Sequence, residues 1–225
     1  MAQLRVENLS KIFSDGNKET RVLCDVFLSL DRGEKIGIIG ASGAGKSTLL
    51  HIMAGLENPS GGKVLWEGED LFALSDRERS RIRNQRVGFI FQFYHLLPEL
   101  TALENVMLPP LIAGLSFKEA KERGKVWISF MDLDKREGHL PSQLSGGEQQ
   151  RVAIARASVL KPEILFADEP TGNLDSETGA RVMQYLLEGQ KKEGNGLILV
   201  SHNPKTLDTM DVVYELKNGT LVKNS

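Results

Sequence analysis

Along the first third of the chain, apolar and polar positions alternate with a period of two through LRVENL (4–9) and VLCDVFLSL (22–30). That period predicts strands with one buried face. KIGIIG (35–40) is apolar almost throughout, the pattern of a strand covered on both sides, and KVLWEGEDL (63–71) predicts a further strand after an intervening helix. Ser75 and Glu78 then form an S-x-x-E capping box that opens a short arginine-rich helix before the strand RVGFIF (86–91). Ser116 to Glu119 forms a second box, opening a helix through about Met131 with Ala120, Val126, Trp127 and Phe130 on one buried face. From Glu148 the order is helix, apolar strand EILFADEP (163–170), helix SETGARVMQYLLEGQKK (176–192), apolar strand GLILVSH (196–202), then a hairpin, VVYELKNGTLV (212–222), turning at Asn218-Gly219. Strands that alternate with helices predict an α/β fold, a mainly parallel sheet with helices on both faces.

Composition narrows this picture. The 225 residues, 40% of them hydrophobic, suffice for a sizeable core, and 28 basic against 30 acidic residues leave a net charge of −2. No nucleic acid is therefore expected as a partner on electrostatic grounds. The five arginines of RERSRIRNQR (77–86) are interleaved with Glu78 and predict a solvated helix face. Cys24, the single cysteine, has no intramolecular partner, and the alternation around it predicts a small buried side chain in a reducing compartment. No run approaches the length of a membrane span, and MAQLRVENLSKIF lacks the pattern of a signal peptide. If the chain works at a membrane, another subunit is expected to supply the spanning helices.

The strongest chemical signal follows KIGII: Gly40, Ala41, Ser42, Gly43, Ala44, Gly45, Lys46 and Ser47, with Thr48 opening an apolar helix. Glycines let backbone N–H groups converge on phosphate oxygens, the helix start adds positive partial charge, a lysine reaches the outer phosphates, and a hydroxyl suits Mg²⁺. A glycine turn that only joined a strand to a helix would not need Lys-Ser there. Asp168 follows the apolar run ILFA at an expected carboxyl edge of the sheet, where a second Mg²⁺ ligand belongs, and Glu169 next to it is suited to orient and deprotonate a water. Gln92 after VGFIF and His202 after LILVS are expected on the same edge, the amide toward metal or water and the imidazole toward a γ-phosphate. The guanine-reading N-K-x-D motif is missing, since Asn17-Lys18-Glu19-Thr20 lacks its aspartate and precedes the phosphate loop. Phe13, expected in an N-terminal loop, offers an aromatic face to adenine or a side chain to the core.

A second glycine turn, LSGGEQQR (144–151), has no use in the same cradle. Taken in order, GASGAGKS, Gln92, LSGGEQQR, ILFADEP, Asn173-Leu174-Asp175 and Ser201-His202 resemble the nucleotide-binding subunit of ABC transporters over essentially the whole chain. The resemblance implies a core of residues 1–91 with 160–225 that includes an N-terminal antiparallel β subdomain, and a helical subdomain over about 92–159. It implies Lys46, Glu169 and His202 as catalytic groups, with Mg²⁺ held by Ser47, Gln92 and Asp168. It also implies an ATP-sandwich dimer with a second copy of the chain, in which Ser145, Gly146, Gly147, Glu148 and Asp175 reach the other copy's nucleotide. Two positions depart from the commonest pattern, Phe13 in place of tyrosine and Glu148 in place of glutamine; the first keeps the aromatic face, and the second completes S-x-x-E with Ser145.

Within the family, TGNLD (171–175) and GFIFQFYHLLPELTALENVMLP (88–109) look most like the ATPase subunit of lipoprotein-releasing systems, with macrolide-exporter and cell-division relatives close. That implies membrane permease subunits docking near Gln92 to Asn105, and a place on the cytoplasmic face of the inner membrane. Soluble ABC-type ATPases acting on DNA or ribosomes fit less well, because the long coiled coil and the second domain they carry are missing. A small-molecule kinase would leave LSGGEQQR unexplained.

Overall fold

The computed structural model describes residues 3–16 and 18–224; Asn17, the first residue of the Asn17–Thr20 stretch, lies outside the described residues. The chain divides into two compact units, residues 1–83 with 196–225 and residues 84–195.

The first unit begins with a long hairpin, β1 (Leu4–Asp15) and β2 (Lys18–Leu30). Leu4 faces Leu30 and Val6 faces Leu28, and all four are buried, as the period of two requires. The alternation does not run unbroken. Asn8 and Asp25 take positive φ, and the β1–β2 register shifts between Val6 and Leu9 and again between Leu9 and Lys11. Such bulges reset which residues face inward. Cys24, expected to be buried, is accordingly only half-buried, and its N–H donates to the Gly219 carbonyl at 2.8 Å. Next come β3 (Lys35–Ile39), α1 (Lys46–Met53), β4 (Gly61–Trp66), β5 (Glu69–Asp70) and α2 (Asp76–Gln85), whose last two residues fall in the second unit. An antiparallel sheet forms in the order β2-β1-β4-β5. Helix α2 buries no residue, as its interleaved charges predicted.

The second unit holds β6 (Val87–Ile90), α3 (Ala102–Ile112), α4 (Phe117–Phe130), α5 (Gly146–Ser158), β7 (Ile164–Asp168) and α6 (Ser176–Glu193). β6 and β7 pair in parallel with Phe89 opposite Phe166, and α5 packs against β6, α3, α4 and α6. The buried stripe of α4 is Ala120, Gly124, Trp127 and Ile128, the spacing of one helical face. Val126, expected on that face, is 59% exposed, because it lies only two positions from Gly124 and Ile128 and so on the other side of the helix. Phe130 is half-buried and meets Trp127 edge to face.

The chain then returns to the first unit with β8 (Gly196–Val200), α7 (Pro204–Leu207), β9 (Val212–Lys217) and β10 (Thr220–Asn224). There β3 lies between two parallel neighbours, with Ile36 opposite Ile198 on β8 and Ile38 opposite Tyr214 on β9. β10 closes an antiparallel hairpin on β9 through Asn218 and Gly219, both at positive φ, as the Asn-Gly turn predicted. Among the described residues no helix is long and apolar enough to cross a membrane.

Candidate nucleotide site

In the first unit the phosphate loop leaves β3 and enters α1. Gly40 sits at φ 154° with its Cα against β9, where an added Cβ would lie 2.5 Å from the Leu216 carbonyl oxygen, so no larger residue fits the start of the turn. Gly45 precedes α1 without a side-chain cap, which leaves the first-turn N–H groups of the helix uncapped by protein side chains, the arrangement suited to an anion. Ala41, Ser42, Gly43 and Ser47 are exposed, while Ala44, Gly45 and Thr48 are partly covered. Lys46 is buried, and its Nζ donates to the carbonyls of Gly40 and Ala41 at 2.9 Å each. The cation is thus held inside the loop by the loop's own backbone.

His202 lies two residues beyond the end of β8 rather than on the strand, and is exposed. Because β3 and β8 are adjacent and parallel, with Ile38 opposite Val200, the loop and His202 leave the same carboxyl edge. Ser201 anchors that exit: its N–H points to the Ile38 carbonyl and its hydroxyl accepts from Asn203 N at 3.1 Å. Phe13 stands on β1, paired with Thr20, and not in a loop; the hairpin runs longer than its hydrophobic pattern because its outer residues are solvated on both faces. Its ring is 44% exposed, with the ammonium of buried Lys11 at 4.7 Å from the centroid. Lys11 is itself fixed by Glu57 Oε1 at 2.6 Å and the Asn58 carbonyl at 2.7 Å. Nothing in the sequence pattern marked Lys11, since its partners are 46 and 47 positions away.

In the second unit, Asp168 is the buried last residue of β7 and Gln92 follows β6 by two residues, so this parallel pair also delivers its polar side chains to one carboxyl edge. Glu169 has φ 44°, so the chain turns sharply there instead of continuing the pleat of the strand. An added Cβ on Gly172 would lie 3.2 Å from Gln92 Nε2 and 3.4 Å from Glu169 Oε2, which places both side chains against the same turn. Asn173 Nδ2 donates to the Gln92 carbonyl at 3.1 Å, tying the 173–175 segment to the segment after β6. Asp175 caps α6, its Oδ1 accepting from Glu177 N at 3.1 Å and Thr178 N at 3.0 Å.

Ser145 caps α5 as the S-x-x-E spacing predicted: its hydroxyl accepts from Glu148 N at 3.3 Å, and Glu148 Oε2 accepts from Ser145 N at 2.8 Å. Ser145 is exposed, Gly146 partly covered and Gly147 buried. The Glu148 carboxylate also accepts from Arg136 Nε at 2.9 Å. Burial pushes the Glu148 carboxyl up, but the Ser145 N–H and hydroxyl and the Arg136 guanidinium outweigh it and hold the group below the usual carboxylate range. The box Thr101-x-x-Glu104 at the start of α3 went unnoticed in the sequence although its signal, TALE, is of the same kind.

Comparison with known proteins gives the family of the chain. The family described as ABC transporter matches residues 23–172. The lipoprotein-releasing system ATP-binding protein LolD of Shewanella oneidensis is 49% identical over 218 residues, covering 97% of this chain and 95% of the relative. The LolD protein of Xylella fastidiosa is 47% identical over 218 residues, covering 97% and 91%. Among solved structures, the ATP-binding cassette MJ0796, a dimer in a post-hydrolysis state bound to ADP and Pi, superposes with a TM-score of 0.91 at 36% identity, covering 99% of this chain and 98% of that one. A phosphate loop of this geometry and a capped LSGGEQQR helix, in a chain that relatives match nearly end to end, leave one assignment: the chain belongs to the ABC transporter family.

Proposed function

We infer that this chain is the ATP-hydrolysing subunit of an ABC transporter that powers lipoprotein release through a separate membrane permease. The observation that carries the reading is the 40–48 loop, whose glycine start, buried Lys46 and uncapped helix N-terminus suit it to a triphosphate. The LolD relatives, at close to half identity across nearly the whole chain, support lipoprotein release as the work done. Residues 1–91 with 160–225 form the nucleotide core in this reading, and 92–159 the helical subdomain.

Backbone N–H groups of the loop and Lys46 bind the β- and γ-phosphates, and Phe13 stacks on adenine. Glu169 polarises the attacking water, and His202 with Lys46 stabilises charge developing on the γ-phosphate. Ser47, Gln92 and Asp168 supply a hydroxyl, an amide carbonyl and a carboxylate, hard oxygen donors that fit Mg²⁺ bound with a nucleotide. The ion, when bound, neutralises phosphate charge. Two copies close head to tail, and Ser145, Gly146, Gly147, Glu148 and Asp175 of each complete the other's site. The permease docks on the segment from Gln92 to Asn105, which places the chain on the cytoplasmic face of the inner membrane.

Glu169→Gln removes the base and leaves the phosphate loop untouched. ATP turnover should fall by roughly 10²- to 10⁴-fold. The variant should at the same time elute as a dimer when ATP is present. Turnover near that of the native protein, or elution as a monomer with ATP, would show that Glu169 is not the base.

A further inference from the structure

The segment between β6 and α3 is held by side chains from two helices. Arg156, near the end of α5, donates through Nη1 to the His95 carbonyl at 2.6 Å and through Nη2 to the Tyr94 carbonyl at 2.8 Å. Successive carbonyls of an extended chain point to opposite sides. His95 has φ 47°, which breaks that alternation and turns both oxygens to one guanidinium. The His95 ring sits edge-on to Phe91 at 4.8 Å between centroids. Further along, fully buried Asn105 of α3 accepts from Leu97 N at 2.8 Å and donates to the carbonyls of Leu97 at 3.1 Å and Leu100 at 2.9 Å.

The same segment touches the other end of α5. An added Cβ on Gly146 would lie 2.9 Å from the Tyr94 hydroxyl, so that hydroxyl rests on the backbone of the capped turn beside Ser145. Tyr94 is half-buried, whereas Phe93 beside it is 67% exposed and Leu97 is 46% exposed. The backbone of this segment is therefore fastened to α5 at residues 94 and 95, between the two exposed apolar side chains, and to α3 at 97 and 100.

We propose that Arg156 is a positioning residue that couples the 92–97 segment rigidly to α5, so that a partner pressing on Phe93 and Leu97 shifts Ser145 and the start of that helix. The proposal rests on the reading of 92–105 as the permease docking segment. The physical basis is the fork of the guanidinium: two parallel charge-assisted bonds resist both sliding and rotation of the segment along the helix, which a single donor does not. Arg156 itself lies three turns from Ser145 along α5 and has no part in binding nucleotide.

The test uses the complex that the chain forms with its permease, in proteoliposomes, and the chain alone. Arg156→Lys keeps the positive charge and loses the fork. Its ATP turnover alone should stay within about twofold of native and its co-purification with the permease should persist, while permease-dependent stimulation falls by roughly tenfold, within the range of ordinary coupling energies. The permease should alter amide exchange at 144–150 in the native complex, and that response should be lost in the variant. Stimulation at the native level, or a basal rate that falls in parallel with the stimulated one, would overturn the coupling role. Should Arg156→Lys not fold, the native complex decides: permease binding that leaves amide exchange at 144–150 unchanged would overturn the proposal. Phe93→Asp tests the docking reading separately: it should abolish co-purification, and full retention of the permease would refute docking at this segment without bearing on the Arg156 contacts.

Discussion

Ser145 carries two duties in this chain. Its hydroxyl accepts the Glu148 N–H and so fixes the start of α5, yet the side chain is exposed and within reach of a ligand. A long cation placed there meets no core. Ser145→Arg should therefore abolish hydrolysis by obstructing the other copy's nucleotide, while the affinity of the monomer for ATP stays close to native; equilibrium nucleotide binding set against phosphate release checks both halves. A large loss of affinity would mean that Ser145 serves its own chain's nucleotide. At this scale the sequence was most informative where a residue's environment is local. Glu148 is bound by its own helix turn, and the spacing to Ser145 sufficed to foresee it. Its Arg136 partner was not foreseen, because it lies 12 positions away and outside the helix that Glu148 opens.

Helices are where the pattern was read best, and the reason is the same. Capping boxes open α2, α4 and α5, where Ser75, Ser116 and Ser145 were expected to do so, and a further one at Thr101 opens α3. Thr101→Ala should destabilise the protein by about 1 kcal/mol, read by denaturant unfolding, because it removes one acceptor for an otherwise orphaned N–H. The same box predicts a pH effect. The Thr101 N–H and hydroxyl hold the Glu104 carboxyl below the usual range, so the folded state binds its proton less tightly than the unfolded chain. That contribution is present above the unfolded pKa and is lost as pH falls through the folded one. Thr101→Ala should cost less at acidic pH than at neutral pH; a cost independent of pH would mean that the Glu104 contact contributes nothing. Strands were harder. The bulges in the β1–β2 hairpin moved Cys24 off the buried face, and Phe13 lies on a strand that its polar neighbours disguised as a loop.

For the whole molecule, the head-to-tail reading makes a prediction that single variants cannot. In a mixed dimer of Glu169→Gln and Ser145→Arg chains, one site contains both lesions and the other contains neither. Mixing the two inactive proteins should restore ATP turnover well above that of either alone, measured across mixing ratios, whereas sites built within one chain would show no restoration. The division of labour between sequence and fold follows from the range of the forces involved. The amino-acid sequence by itself determined the phosphate loop, the caps, the Asn-Gly turn and the alternation of strands with helices, because each depends on backbone preferences and hydrogen bonds spanning a few residues. Only the tertiary structure decided which faces are buried after a bulge, that Lys11 stands over Phe13, and that Arg156 holds two carbonyls 61 and 62 positions away. Those contacts join segments brought together by sheet pairing and helix packing, and no local period along the chain encodes them.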